Sequence, residues 1–281
     1  MKIQILYQTQ YCYDEPVSFS LHLFRLFPRM ERHVSVRSAS FQTNIGAAVS
    51  YRRDLFDNEI ASCFYPGKSA LLAANLQLSL EVEEKNAFGF LLESRALNLP
   101  FPYSPEEREV LAPYLDESSL LTLPFWSKPS TLRPTVEALV ELNTAIYENI
   151  AYERREEGEA RTASETLELG RASCRDFAVL MAESLRSLGL AARLASGYLC
   201  EFESADKRAE GALHAWVETY LPGAGWLGFD PTNGALCNHY HLTTAVGRTP
   251  ADISPVLGDY YHDSRVSAEM STSLQITPEI L

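Results

Sequence analysis

Residues 170–189 read GRASCRDFAVLMAESLRSLG and put a cysteine, Cys174, directly after a serine that is followed three residues later by Asp176. Ser-x-x-Asp before an apolar run is a capping box, which makes Ser173 the N-cap and Cys174 the first helical residue. A thiol in that place lies at the positive end of the helix dipole, among backbone N–H groups without intrahelical partners. Few environments do more to hold a thiolate near neutral pH. The same N–H groups could hold an oxyanion. Phe177, Leu180, Met181, Leu185 and Leu188 form the buried stripe of this helix, and Gly189 ends it.

A nucleophilic thiol needs a base, and the base needs a group that fixes its tautomer. Further along, ALHAWVETYL reads as a strand in which His214, Trp216, Glu218 and Tyr220 share one face. WLGFD reads as the strand that follows, ending on Asp230, and Pro222-Gly223-Ala224-Gly225 joins the two as a hairpin. For His214 to meet Asp230, both side chains must leave the same face. Pairing Leu221 with Trp226 would set Asp230 opposite Val217, on the wrong face. Pairing Tyr220 with Trp226 sets Asp230 opposite Trp216 and makes it a diagonal neighbour of His214. The spacing therefore predicts that second register, through a loop of odd length or a bulge.

The rest of the chain must position these groups. Before them, Val136, Leu139, Val140, Asn143, Ile146, Tyr147 and Ile150 form a helical stripe opened by Pro134. Glu153 to Glu159 is a charged loop, and Thr162-x-x-Glu165 opens a short helix ended by Gly170. Residues 1 to 84 alternate as strands instead. Ile3, Ile5, Tyr7, Thr9, Tyr11 and Tyr13 make the first, which Asp14-Glu15-Pro16 is expected to end. Leu76, Leu78, Leu80 and Val82 make the last, and Asp57-Asn58 is a turn between two others. Seven of the 15 prolines lie between Pro100 and Pro134, which excludes a long helix there. The organisation expected is a β-sandwich domain over 1–95, a Pro-rich connection over 96–134, a core over 135–250 and a C-terminal extension over 251–281 that packs back on the protein.

Composition narrows the function classes. The formal charge of −13 argues against a nucleic-acid partner, which needs clustered Lys and Arg, and against a polybasic membrane anchor. No spanning apolar run and no signal peptide is read, and the five cysteines are dispersed without a C-x-x-C, so a cytoplasmic protein with free thiols is expected. Two other motifs carry less. Gly223-x-Gly225-x-x-Gly228 matches a dinucleotide fingerprint, but no helix can follow it. Cys237, His239 and His241 alternate and would share one face of a strand as a metal half-site.

Together GRASCRDFAVLMAESLRSLGLAARLASGYL and LHAWVETYLPGAGWLGFDPTNG resemble the core of the bacterial transglutaminase-like family, a branch of the papain-like thiol fold. C-x-D-F, H-A-W and F-D-P-T occur in order at suitable spacing over roughly residues 136 to 250. YCYDEPVSFSLHLFRLFPR resembles the β domain preceding this core in bacterial members, and VGRTPADISPVLGDYYH resembles their C-terminal extension. The resemblance implies an α+β protein: an antiparallel β-sandwich, then a papain-like core whose Cys-bearing helix packs on an antiparallel sheet. It implies Cys174 as nucleophile, His214 as general base and Asp230 as the orienting carboxylate, acting on a peptide or protein amide through a thioester, with no cofactor and no metal. The rival reading is an inert interaction module on the same fold. Arg175 stands where many members carry Gln, Ala172 where Gly is common, and Thr249-Pro250 where an acidic-aromatic pair is usual. Arg175 either favours the thiolate or is a solvated first-turn residue. No papain-type oxyanion glutamine is available, because Gln4, Gln8, Gln10, Gln42, Gln77 and Gln275 all lie outside the core.

Overall fold

The computed structural model describes residues 1–116, 120–155, 158–200 and 213–279. The chain opens with six strands: β1 (Lys2–Phe19), β2 (His22–Phe24), β3 (Val34–Thr43), β4 (Ala48–Arg53), β5 (Glu59–Phe64) and β6 (Lys68–Val82). Alternation decides their faces. Ile3, Ile5, Tyr7 and Thr9 of β1 are buried beside Leu72, Ala74, Leu76, Leu78, Leu80 and Val82 of β6, while the residues between them stay accessible. Phe24 of β2, Ala61 and Cys63 of β5, and Tyr65 just after β5 close the same core. Contrary to expectation, β1 does not stop at Asp14-Glu15-Pro16. It continues to Phe19, with its ladder to β6 broken between Cys12 and Val17. Pro16 falls in that irregularity, where its missing N–H forfeits no ladder bond.

Four helices follow: α1 (Pro105–Leu111), α2 (Thr135–Asn149), α3 (Ala163–Leu169) and α4 (Cys174–Ser187). The short α1 arises inside the Pro-rich segment because Pro105 takes the first turn and Ser104 with Glu107 forms a capping box. In α2 the buried stripe is Thr135, Ala138, Leu139, Leu142, Asn143 and Ile146, and Val136, Val140 and Tyr147 are only half-buried. The stripe is rotated from the expected one, toward Thr135, Ala138 and Leu142 and away from Val136, Val140 and Tyr147. Thr162 and Glu165 cap α3 as expected, and Gly170 ends it at a φ of 63°.

The second sheet domain has the order β10-β9-β8-β7-β11, with β7 Ala192–Leu199, β8 Leu213–Leu221, β9 Gly225–Asp230, β10 Ala235–Leu236 and β11 His241–Gly247. Ala212, which the sequence pattern includes in the His214 strand, lies outside the described residues, as do Glu156 and Glu157 of the charged loop. Phe177, Leu180, Met181 and Leu185 of α4 pack on Ala215, Val217, Phe229 and Ala245 of this sheet. The chain then returns to the first sheets: β12 (Val256–Leu257) pairs with β2, β13 (Tyr260–Tyr261) with the end of β1, and β14 (Ala268–Pro278) runs along β1 from Ile3 to Tyr13. Among the described residues no helix is long and apolar enough to cross a membrane.

The free edge of β11 is covered by the N-terminal domain. Fully buried Asn58 donates from Nδ2 to the Val246 carbonyl at 2.8 Å and accepts the Val246 N–H on Oδ1 at 2.8 Å, as a neighbouring strand residue would. Arg29 adds a backbone N–H to the Thr243 carbonyl at 2.7 Å and an Nη1 bond to Asn58 Oδ1 at 2.6 Å. Asn58→Ala would strand both Val246 groups in a buried place. It is expected to cost about 2–4 kcal/mol, measured as a lowered denaturant midpoint at unchanged slope.

Candidate active site

Ser173 and Asp176 open α4 as the capping box requires, with Asp176 Oδ2 accepting the Ser173 N–H and Oγ–H, each at 2.9 Å. Asp176 does more than cap. Its Oδ1 accepts Arg155 Nη2 at 2.6 Å and the Arg161 backbone N–H at 2.7 Å, so the loop before α3 is tied to the helix start. Arg175 ties the same loop from the other side, donating to the carbonyls of Gly158 (2.9 Å) and Arg155 (3.0 Å). It is thus a structural strap, and its charge also helps to lower the pKa of the neighbouring thiol.

The hairpin adopts the second of the two registers: Tyr220 pairs with Trp226, Val217 with Phe229, and three residues, Pro222 to Ala224, form the loop. His214 and Asp230 consequently leave one face, and His214 Nε2 lies 2.9 Å from Asp230 Oδ2, both residues being fully buried or nearly so. With Nε2 engaged, Nδ1 is the nitrogen left for the thiol. It has no partner of strict hydrogen-bond geometry among the described residues.

Three shifts of ionisation follow. Burial alone would lower the imidazole pKa, but the Asp230 charge and hydrogen bond outweigh it, and with the thiol's help His214 is pushed up to about 10. Burial alone would raise the Cys174 thiol; His214, the Ala215 backbone and Arg175 outweigh that, and the thiol is lowered. Burial would raise Asp230 too, yet the two imidazoles facing it, His214 and His241, hold it well below the usual carboxylate range. All three shifts run in the direction that favours a thiolate beside an imidazolium beside a carboxylate.

Among the described residues the Asp230 carboxylate accepts five donors. Besides His214 these are the backbone N–H of Thr232 (3.0 Å) and Asn233 (3.3 Å), Asn233 Nδ2 (2.8 Å) and His241 Nε2 (3.2 Å). His241 is a site residue that the sequence pattern missed, because its spacing pointed elsewhere. The chain turns at 238–240 rather than running as a strand, so Cys237, His239 and His241 do not share a face. Cys237 packs on Trp216, His239 stacks on Tyr240, and His241 turns to Asp230. Trp216, 1% exposed, is sheet packing rather than the wall of an open cleft, with its ring against His241 at 5.4 Å and His214 at 6.1 Å. The six glutamines all lie in β1, β3, β6 and β14, far along the chain from this site. The N–H groups in the first turn of α4, which lack intrahelical acceptors, are candidate oxyanion donors.

A model of the transglutaminase-like superfamily core matches residues 127–231, and a model of the bacterial transglutaminase-like N-terminal region matches residues 3–81. Uncharacterized proteins of Mycobacterium tuberculosis and Mycobacterium bovis are 35% identical over 162 residues, 54% of this chain and 51% of theirs. One of Mycobacterium leprae is 36% identical over 112 residues, 39% of this chain and 37% of its own. The chain therefore spans about half the length, or less, of these curated relatives. The crystal structure of a candidate cysteine protease from Cytophaga hutchinsonii has the same fold, at a TM-score of 0.73 and 17% identity, covering 100% of this chain and 92% of that one.

Two measurements test the ionisation pattern. Alkylation of Cys174 by iodoacetamide should be only a few-fold slower at pH 6 than at pH 8, where an ordinary thiol of pKa about 8.5 would slow about a hundredfold. His214→Ala should restore the ordinary slope. Stability gives an independent sign. A raised imidazole stabilises the fold fully below its unfolded value of 6.5 and loses that contribution as pH rises through about 10. A lowered thiol stabilises it above its unfolded value of about 8.5 and loses that as pH falls. Between those unfolded values the two contributions have opposite pH slopes and offset one another. Cys174→Ala removes the cancellation, and its unfolding free energy should fall with rising pH in that window by up to about 1.4 kcal/mol per unit relative to wild type.

Proposed function

The chain belongs to the transglutaminase-like superfamily, with a bacterial transglutaminase-like N-terminal region ahead of its core, and from that premise we propose that it is a cysteine-dependent acyl-transfer enzyme acting on peptide or protein amides. The observation that supports this most directly is the division of the His214 ring. Nε2 is held on the buried Asp230 carboxylate, and Nδ1 is left to the thiol at the capped start of α4.

In this reading the Cys174 thiolate attacks the amide carbonyl carbon, and the carbonyl electron pair moves to oxygen. The N–H groups at the start of α4 meet that oxyanion. The C–N bond then breaks as His214 gives its proton to the departing amine, leaving an acyl thioester on Cys174. His214, now neutral, takes a proton from water or from an incoming amine as that nucleophile attacks. The thioester breaks, and the products are an acid or a new amide with the thiolate restored. Asp230 holds the ring in its Nε2–H tautomer throughout and stabilises its charged form.

Hydrolysis of a panel of peptide amides and thiol-protease esters, with and without a primary amine, tests both the class and the acceptor. Intact mass should show an acyl adduct on Cys174 that water or the amine removes. Cys174→Ala should abolish turnover. Asp230→Asn should leave the fold intact and reduce turnover on the order of 10²–10⁴-fold. Full activity in Asp230→Asn, on whichever substrate reacts, excludes the triad.

A further inference from the structure

β11 does not follow a regular ladder. Leu194, Ala195 and Ser196 pair with Gly247, Val246 and Ala245, but Gly197 pairs with Thr243 and Leu199 with His241. Thr244 is the extra residue, a bulge whose hydroxyl bonds the Ser196 carbonyl at 3.2 Å. The consequence is one of parity. Val246 lies with Trp216 and Ala195 on the face of the sheet that bears His214. A regular ladder would carry Thr244 and Leu242 onward on that face and leave His241 on the opposite one. The bulge exchanges the sides beyond Thr244 and turns His241 toward Asp230. Gly197, opposite the bulge, has no room for a Cβ, which would stand 1.9 Å from the Leu242 carbonyl oxygen.

The protonation of His241 follows from its partners. Nδ1 accepts the Asn238 backbone N–H at 3.4 Å, so the proton of the neutral ring sits on Nε2, which donates to Asp230 Oδ2 at 3.2 Å. The other donors to Asp230, His214 apart, come from Thr232 and Asn233 in its own turn, and they fix the carboxylate only relative to its own backbone. His241 fixes it to a different strand, the one on which the N-terminal domain docks.

We propose that His241 is a positioning residue: its Nε2–H holds Asp230 Oδ2 where His214 can donate to it, and so keeps Nδ1 of His214 turned to Cys174. This rests on the reading of Cys174, His214 and Asp230 as one reacting unit. The Cys237 thiol also lies against this carboxylate, and burial holds it protonated.

The test needs no substrate. The full-length protein and the variants His241→Leu, His241→Asn and His241→Gln are alkylated with iodoacetamide from pH 5.5 to 9.5, and the Cys174 adduct is timed by intact mass. A Gln amide reaches about as far as Nε2, whereas an Asn amide stops one bond short. His241→Gln should stay within about threefold of wild type at pH 6, with His241→Leu and His241→Asn about tenfold slower, and all should converge near pH 9.5, where even an unassisted thiol is ionised. If Leu fails to fold, the contrast between Asn and Gln still decides. Equal rates at pH 6 would overturn the proposal. So would a Gln variant as slow as Asn, or a deficit that persists at pH 9.5, since either would assign His241 to packing. An ordinary thiol profile in the wild type itself is a distinct outcome: it removes the triad reading and His241's role with it.

Discussion

One buried carboxylate organises this half of the molecule. Asp230 has no access to solvent and carries a charge, which unpaired would cost several kcal/mol of lost hydration. Its five donors replace that hydration, and they come from three places: its own turn, strand β8 and strand β11. Each imposes a condition on the chain. The turn must follow Asp230 with two accessible backbone N–H groups and an amide side chain. The hairpin must take the register that brings His214 to the same face. β11 must bulge. A carboxylate with donors from three places therefore ties together the placement of three strands.

The N-terminal domain enters this chain of constraints through β11. Asn58 and Arg29 bond the edge of that strand at Val246 and Thr243, on either side of the bulged Thr244. Tyr198, on the neighbouring β7, sends its hydroxyl to the Leu26 carbonyl at 2.8 Å. The domain is thus more than a neighbour: it supplies the bonds that an edge strand would otherwise lack, at the strand that carries His241. The return of β14 along β1 closes the first domain after the core is complete, so both ends of the chain lie in one sheet.

Much of this was legible in the sequence, and the exceptions share a cause. Capping boxes at Ser173 and Thr162 are local, since both partners lie within one turn, and they stand where the residue types put them. The hairpin register is also local: a constraint of side-chain parity chose between two pairings, and Tyr220 pairs with Trp226. What was missed is long-range or irregular. A turn such as that at 239–240 leaves no signature in these residue types, so alternation read through Cys237, His239 and His241 assigns His241 to a metal half-site it does not form. β14 is polar and largely exposed on both faces, which removes the alternation that marks a strand. Asp176 reads as a cap, but its bonds to Arg155 and Arg161 connect residues separated by an irregular loop. The first strand's extension through Pro16 depends on a broken ladder that proline itself only permits.

The two buried aspartates near the thiol show how charge is sorted by the partners chosen. Asp176 lies in the first turn of α4, where a carboxylate favours the helix but its charge opposes a thiolate two residues away. It meets a full counter-charge, Arg155 Nη2 at 2.6 Å, with the Arg161 guanidinium at 3.8 Å, so little of its field is left for Cys174. Asp230 is treated in the opposite way. Apart from His214 its donors among the described residues are two backbone N–H groups, one Asn side chain and the His241 imidazole, with no arginine among them. These orient the carboxylate and stabilise it without cancelling its charge, which therefore falls on His214. The imidazole is pushed up to about 10 for that reason, against a burial that works to lower it. Its charge in turn overcomes the burial of the thiol.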